Sequence, residues 1–242
     1  MIKWVRKYHK WLMLGVGLQF LIWAATGLYM VSLDIHYIHG ESMIKTKPAA
    51  VNVKQINYDL NQLTAKYQDV TNLSVVSLND KMVYQFKALA PETNKSQWVV
   101  VDVNTGNELP LVTEKMAMDL AKAAYQGAPK VASVKLLTDS APAELAGRHL
   151  PVWRVEFEHI ASPTFYVSQQ TGQIVTKRHD FWRLFDWMWR FHIMDYDDGQ
   201  NVKNSLLMIF VITGLIAAMS GAYLTYFHVI KPKLRIKQAV AK

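Results

Sequence analysis

Two long apolar stretches, one near each end of the chain, decide its fold. Residues 12–33 read LMLGVGLQFLIWAATGLYMVSL, and residues 205–230 read SLLMIFVITGLIAAMSGAYLTYFHVI. Neither stretch contains Lys, Arg, Asp or Glu. At about 1.5 Å per residue, a helix of 22 residues is ~33 Å long, enough for the ~30 Å hydrocarbon core of a bilayer. The sequence therefore predicts membrane-spanning helices at residues 12–33 and 204–230.

The first stretch could instead be a secretory signal. Its apolar run exceeds the ~7–15 residues of such a signal, however, and the segment Val31-Ser32-Leu33-Asp34 lacks a small-x-small cleavage site. We therefore interpret it as an uncleaved anchor.

The basic residues flank these stretches on their outer sides. Of the 27 Lys and Arg residues, nine lie in the tails 1–11 and 231–242, namely Lys3, Arg6, Lys7, Lys10, Lys231, Lys233, Arg235, Lys237 and Lys242. By the positive-inside rule both tails are expected in the cytoplasm, with the segment between the helices on the other side of the membrane. This predicts a membrane protein whose central domain lies on the opposite side of the membrane from both termini.

The remaining composition excludes several functions. Between the tails, the chain contains 18 of the 27 basic residues and all 19 acidic residues, so this segment is nearly neutral. The pI of about 9.5 therefore reflects the tails, and nucleic acid is not an expected partner. The chain has no cysteine, which rules out disulfides, thiolate metal sites, iron–sulfur clusters held by Cys, c-type haem attachment and a Cys nucleophile.

Residues 34–180 have the pattern of an α+β domain built from two similar copies, at about 51–110 and 111–178. Val101, Thr105 and Gly106 recur as Val167, Thr171 and Gly172 at a constant offset of 66. Each copy predicts one helix on a small antiparallel sheet. The predicted helices are 53–68 and 113–125, and the predicted strands are 73–78, 82–88, 98–103, 131–137, 152–157 and 164–168. The expected fold class is an α+β membrane protein in which two antiparallel transmembrane helices flank this tandem domain.

The strands Val99–Gly106 and Tyr166–Ile174, each preceded by an amphipathic helix, resemble those of PepSY domains. The first span, Tyr8–Gly17 followed by Trp23–Gly27, resembles the PepSY-associated transmembrane helix, and Phe191–Tyr196 resembles the segment that leads into the last helix of those proteins. Ferric-siderophore reductase-like relatives have four or more spans and are thought to carry haem, whereas this chain predicts two spans.

Residues 181–203 combine an aromatic helix with a turn. Trp182, Trp187 and Trp189 flank Arg183 and an i,i+4 pair of Asp186 and Arg190. Such a helix suits the headgroup layer of a membrane, where indole rings settle. The alternative is a lid packed under the central domain.

The candidate chemical residues are histidines. If the two spans are antiparallel neighbours, His9 and His228 would share one membrane depth, and His192 with His36 or His39 would share the other. Facing imidazoles of this kind could ligate haem b axially, although histidines near span ends also serve as polar anchors.

Two functions follow from these observations. The first is a non-enzymatic accessory subunit that binds a protein partner or a second copy of the chain within an envelope or iron-transport assembly, with membrane lipid around its spans. The second, implied by the resemblance, is a haem-binding electron-transfer component that supports reduction of a periplasmic ferric chelate.

Overall fold

The computed structural model describes residues 2–45, 56–78, 81–90 and 94–234. It divides the chain into two compact units, which we call the helical unit, Met1–Asp34 with Leu184–Lys242, and the central domain, Ile35–Arg183. Arg235, Lys237 and Lys242 of the predicted basic tail lie outside the described residues.

The helical unit contains the two apolar helices. Helix α1 is Ile2–Ser32, and helix α6 is Ser205–Thr225, continued by a π-helical turn at Tyr226–Ile230. Both are long and apolar enough to cross a membrane. Only 11% of the most apolar segment of the first helix and 6% of that of the second are buried. A core helix of a soluble protein would be mostly buried, so this exposure agrees with the prediction of two membrane helices.

Helices α1 and α6 run antiparallel against each other. Arg6 of α1 contacts His228, and His9 of α1 contacts Ser220. Residue numbers therefore increase along α1 and decrease along the facing helix, as in an antiparallel pair. A Cβ atom on Gly214 would lie 3.6 Å from the Val16 side chain. This distance is an ordinary contact, whereas a Cβ atom on Gly221 would lie only 3.1 Å from the His9 ring. Gly221 therefore permits the close approach that favours helix association in lipid.

The central domain begins with a short helix and ends at the first turn of a longer one. Its elements are α2 (Ile35–Ile38), a 3-10 turn (Glu41–Met43), α3 (Leu60–Lys66), β1 (Thr71–Leu78), β2 (Lys81–Leu89), β3 (Ser96–Asp102), α4 (Glu114–Ala124), β4 (Val131–Leu137), a 3-10 turn (Gly147–His149), β5 (Val152–Phe157), β6 (Thr164–Ser168), β7 (Ile174–Arg178) and the start of α5 (Asp180–Ile193).

The strands form two antiparallel sheets, β1-β2-β3 and β4-β5-β6-β7. One helix packs on each sheet and forms a core with it. Leu63 of α3 packs on the first sheet, and Ala117 and Ala121 of α4 pack on the second. Every residue of β6 is buried, because apolar side chains lie on both of its faces. The mixed α/β fold with antiparallel sheets confirms that part of the predicted fold class.

The first predicted helix is shorter than its apolar periodicity suggested. Residues 53–55 lie outside the described residues, and the helix begins only at Leu60, where the Asp59 side chain caps it by accepting from the Asn61 N–H at 3.2 Å. Asn57 and Tyr58 instead donate backbone hydrogen bonds to the Val103 carbonyl. Ile56 thus packs against the core from a segment before the helix. Its spacing from Leu60 and Leu63 matches a helical period, which is why the sequence predicted a longer helix.

Strand β7 was absent from the sequence prediction. It pairs with β6 from Thr164↔Arg178 to Val167↔Ile174, and all five of its residues are half-buried. A strand with this uniform burial and two basic residues at its end lacks the apolar alternation that reveals strands in a sequence.

The two sheets contact each other through the turn after β6. Gln85 of β2 donates to the Thr171 carbonyl at 3.3 Å and accepts from the Gln173 amide at 2.5 Å. Gly172 has a φ of +71°, and a Cβ there would collide with Leu78 of β1 and press against Leu120 of α4. The Thr-Gly turn of the second half therefore lies between the two sheets.

Candidate functional site

A partly buried ion pair joins a loop of the central domain to the first turn of α5. The Arg183 guanidinium donates to both carboxylate oxygens of Glu144, at 2.7 and 3.0 Å, and the two side chains are 28% and 12% exposed. Arg183 also donates to Asp180 at 2.8 Å and to the Thr164 hydroxyl at 3.0 Å. We call Glu144, Thr164, Tyr166, Asp180 and Arg183 the Glu144–Arg183 cluster.

The protonation states of this cluster suit a structural role. Burial alone would raise the pKa of Glu144, but hydrogen bonds from Arg183 and from the Tyr166 hydroxyl lower it below its ordinary value. Burial and the bond to Glu144 raise the pKa of Tyr166. At neutral pH the cluster thus holds an ionised carboxylate, a charged guanidinium and a neutral phenol, all engaged with one another. None is left available as a general base or a nucleophile.

His179 holds together the two ends of the central domain. Its Nε2 lies 3.0 and 3.1 Å from the carbonyls of Tyr37 and Ile38, so this nitrogen carries the proton. His179 is 1% exposed, and its Nδ1 has no hydrogen-bond partner among the described residues. Burial lowers the pKa of His179 below its ordinary value. The hydrogen bonds to the two carbonyls raise this pKa, and the nearby positive charge of Arg183 lowers it further. The neutral imidazole therefore fastens the segment after α1 to the residue before α5.

Among the described residues, His9 and His192 form hydrogen bonds through Nδ1 and have no hydrogen-bond partner at Nε2. His9 Nδ1 lies 2.8 Å from the Ser220 hydroxyl, and His192 Nδ1 lies 3.0 Å from the Thr26 hydroxyl. Each hydroxyl also donates to a carbonyl of its own helix at 2.8 Å. Because a carbonyl can only accept, all these contacts are satisfied when the imidazoles donate through Nδ1. Nε2 of His9 and of His192 is then a lone-pair donor, the state that ligating histidines adopt.

The other predicted ligands have different partners. His228 Nε2 accepts from the Arg6 guanidinium at 2.7 Å. His228 lies eight residues, or about 12 Å along the helix, beyond Ser220, the residue that contacts His9. His36 pairs with Glu41 at 2.8 Å on an exposed surface, and His39 is exposed. As placed here, His9 fits an axial ligand but His228 does not face it. The haem sites stay a prediction.

A polar side chain that the sequence analysis overlooked lies within α1. Gln19 is only 6% exposed, and its side-chain nitrogen has no hydrogen-bond partner among the described residues. Nearby, α1 and α6 border an apolar groove of about 460 Å³, lined by Gly17, Phe20, Trp23, Phe210, Gly214 and Ala218. The small residues thus bring the helices together at some levels and leave a groove at others.

The central domain has a groove beside the exposed end of β3. It has a volume of about 470 Å³ and is lined by Lys66, Tyr67, Asn94, Gln97, Val99 and Glu108. The Tyr67 hydroxyl donates to Glu108 at 2.7 Å, and burial together with this bond raises the pKa of Tyr67. An extended peptide could find both polar and apolar contacts in such a groove.

The aromatic helix is present as α5, Asp180–Ile193, and the predicted pair of Asp186 and Arg190 forms at 2.8 Å. The Arg178 guanidinium stacks on Trp182 at 3.9 Å, and the Trp189 indole donates to the Gly199 carbonyl at 2.9 Å. Trp187 is 53% exposed. The Trp187 ring also packs against Phe191 at 6.0 Å. All three indoles therefore have contacts with protein groups.

Among the residues that the structure describes, no three His, Asp or Glu side chains form a group that could hold a metal ion. Glu144 and His179 were not expected from the sequence, and Arg183 was expected only on the charged face of the aromatic helix and not as a partner of Glu144. The ion pair of Arg183 with Glu144 could not be read from a local pattern, since Glu144 lies 39 residues from Arg183.

Comparison with known families identifies the second half of the central domain. Residues 111–178 match PepSY, the peptidase propeptide and YPEB domain. No curated protein and no solved structure matches the chain. Residues 111–178, comprising α4 and β4–β7, are therefore a PepSY domain, and this domain lies between two candidate membrane helices. The first predicted copy, residues 51–110, lies outside the matched range, and the resemblance to ferric-siderophore reductase-like proteins is without support.

Proposed function

We propose that this chain is a non-enzymatic accessory protein of the bacterial inner membrane, which binds a protein or peptide partner through a periplasmic tandem PepSY domain. The observation that carries the proposal is a PepSY domain between two apolar helices of membrane-spanning length. PepSY domains are of a propeptide-like, accessory type. A role within an envelope or iron-transport assembly is the setting that the sequence resemblance implies.

The chemistry of the central domain supports binding and not catalysis. The buried His179 and the partly buried pair of Glu144 and Arg183 fasten loops and chain ends to one another. The groove beside β3, in contrast, offers a hydroxyl, amides, a cation and an anion at the surface. We place the partner segment in this groove.

The topology can be tested because the chain contains no cysteine. Single cysteines introduced at Ser42, Ser96 and Ser140 are expected to react with an impermeant maleimide in intact cells with a permeabilised outer membrane. A cysteine at Ala241 is expected to react only after lysis, because the basic tails hold both termini in the cytoplasm. Labelling at Ala241 alone in intact cells would reverse the proposed orientation.

A haem-dependent electron-transfer component is the second candidate. Its support is the free Nε2 of His9 and of His192, each fixed by a hydroxyl of the neighbouring segment. These two would hold haem, which would supply one-electron transfer. His192 contacts Thr26, which lies about 25 Å from His9 along α1. Because of this separation, each imidazole would belong to a separate haem.

One absorption spectrum distinguishes the two candidates. The accessory proposal predicts no Soret band in protein purified from haem-supplemented cells. The haem hypothesis predicts a band that shifts on reduction, and that His9→Ala or His192→Ala weakens, because each removes an axial ligand. His228→Ala tests whether the imidazole bound to Arg6 contributes as well. A band unchanged in all three variants would remove these histidines from any haem site.

A further inference from the structure

The loop between β5 and β6 presents a fully exposed apolar side chain. Ile160 is 93% exposed, the highest value among the large apolar side chains of the described residues. The loop around it is held in place, since His159 Nδ1 accepts from the Ala161 N–H at 3.2 Å and the His159 carbonyl accepts from the Ser162 N–H at 2.9 Å. Ile160 is therefore displayed on a defined turn.

This turn lies at the end of the central domain where the chain enters and leaves it. The Ala161 carbonyl accepts from the Asp180 N–H at 2.8 Å, and the Ser162 carbonyl accepts from Arg183 at 3.2 Å. The neighbouring His179 is bonded to the carbonyls of Tyr37 and Ile38. Hydrogen bonds thus connect the turn to both chain ends of the domain.

The same end of the domain carries further exposed apolar side chains. Ile35, Tyr37 and Phe181 are 45%, 39% and 41% exposed, and the rings of Tyr37 and Phe181 meet edge to face at 5.7 Å. Ile35 follows the last residue of α1, Ser32, by three residues, or at most about 10 Å of extended chain. If α1 spans a bilayer, this end of the domain is within reach of the membrane surface.

We propose that the β5–β6 turn, with Ile160 at its apex, is a third contact of this protein with the membrane, inserted into the boundary between lipid headgroups and acyl chains. Continuity with α1 argues for lipid as the partner, because the span brings the bilayer surface to this end of the domain. The charges near the apex occur as oppositely charged neighbours. Glu158 and Lys130 lie on bonded strand ends, and Asp180 pairs with Arg183 at 2.8 Å. The contact therefore depends on apolar burial, and it can be weak because the spans already hold the domain at the surface.

The test compares two labelled positions in the full chain. Ile160→Cys and Leu111→Cys each receive an environment-sensitive fluorophore and are reconstituted in vesicles of phosphatidylcholine and phosphatidylglycerol, with or without lipids that carry a nitroxide high on the acyl chain. Leu111 is a matched control, because it is 57% exposed and precedes Val112, which bonds to Gln169 at the opposite end of β6 from Ala161. We expect blue-shifted emission and several-fold stronger nitroxide quenching at position 160.

Equal quenching at the two positions would overturn the proposal. A blue shift at position 160 without nitroxide quenching would overturn it as well and would indicate a protein contact, such as a second copy. The inference rests on the proposed membrane anchoring, which vesicle flotation tests separately. If the chain fails to float with the vesicles, the anchoring fails, whereas flotation without preferential quenching refutes only the third contact.

Discussion

Replacing Glu144 with alanine is expected to lower the free energy of unfolding by about 3 kcal/mol, because it leaves the partly buried Arg183 without its main partner. The range for breaking a buried ion pair is about 3–5 kcal/mol, and the lower end applies since Asp180 still accepts from Arg183. The measurement is urea denaturation of the full chain in detergent, followed by near-UV circular dichroism.

Glu41→Ala is the matched control for this substitution. Glu41 pairs with His36 on an exposed surface, where the side chains are 51% and 70% exposed, so its loss is expected to cost less than about 1 kcal/mol. Glu144→Gln keeps an acceptor for Tyr166 and Arg183 and is expected to lie between the two. A loss in Glu144→Ala no larger than that in Glu41→Ala would show that the cluster does not support the fold.

The same carboxylate predicts a pH dependence. In the folded domain, hydrogen bonds lower the pKa of Glu144 below its ordinary value of 4.5, despite burial. Its contribution to stability is therefore complete above pH 4.5 and is lost as the pH falls from there through the folded-state pKa. Glu144→Gln should lack this part of the acid dependence.

Gly172→Ala is expected to destabilise the central domain by about 2–5 kcal/mol. About 1–2 kcal/mol arises because an L-residue is strained at a φ of +71°. A further ~1–3 kcal/mol arises because the new Cβ overpacks the contact with Leu78 and Leu120. The same denaturation experiment measures the sum of the two costs.

Gly127→Ala separates these two costs. Gly127 also has a positive φ, of +115°, but a Cβ there would have no atom within 4 Å. A φ of +115° lies beyond the left-handed helical region and strains an L-residue more than a φ of +71°. The substitution is therefore expected to cost backbone strain alone, about 1–3 kcal/mol. If Gly172→Ala costs no more than the ~1–2 kcal/mol of left-handed strain, Gly172 is not pressed between the sheets in the way described here.

Much of the secondary structure could be predicted from the sequence. Strands β4, β5 and β6 have the predicted bounds, and α4 has the predicted helix ends because Thr113 and Tyr125 cap it. These segments have clear periodicity and local capping groups. Strand β7 and the late start of α3 were missed, because β7 owes its pairing to β6 and because Ile56 packs in the core from outside the helix.

The candidate site was less accessible to sequence reasoning. Histidines near apolar runs are conspicuous, so His9 and His192 could be proposed as ligands, but their ring orientation depends on hydrogen bonds to Ser220 and Thr26 of neighbouring segments. Glu144 is an ordinary loop residue until Tyr166 and Arg183 surround it. No local pattern marks such a residue, because its partners are 22 and 39 positions away.

Local chemistry in the sequence therefore determined the two apolar helices, the charge asymmetry of the tails and most strands, because each depends on neighbouring residues and the burial of one face. Tertiary structure alone decided that Gly172 separates two sheets, that His179 joins the two ends of the central domain, and that Ile160 stands exposed beside them. The physical reason is that these features require contacts between residues far apart in the chain, whose geometry exists only once both sheets have packed.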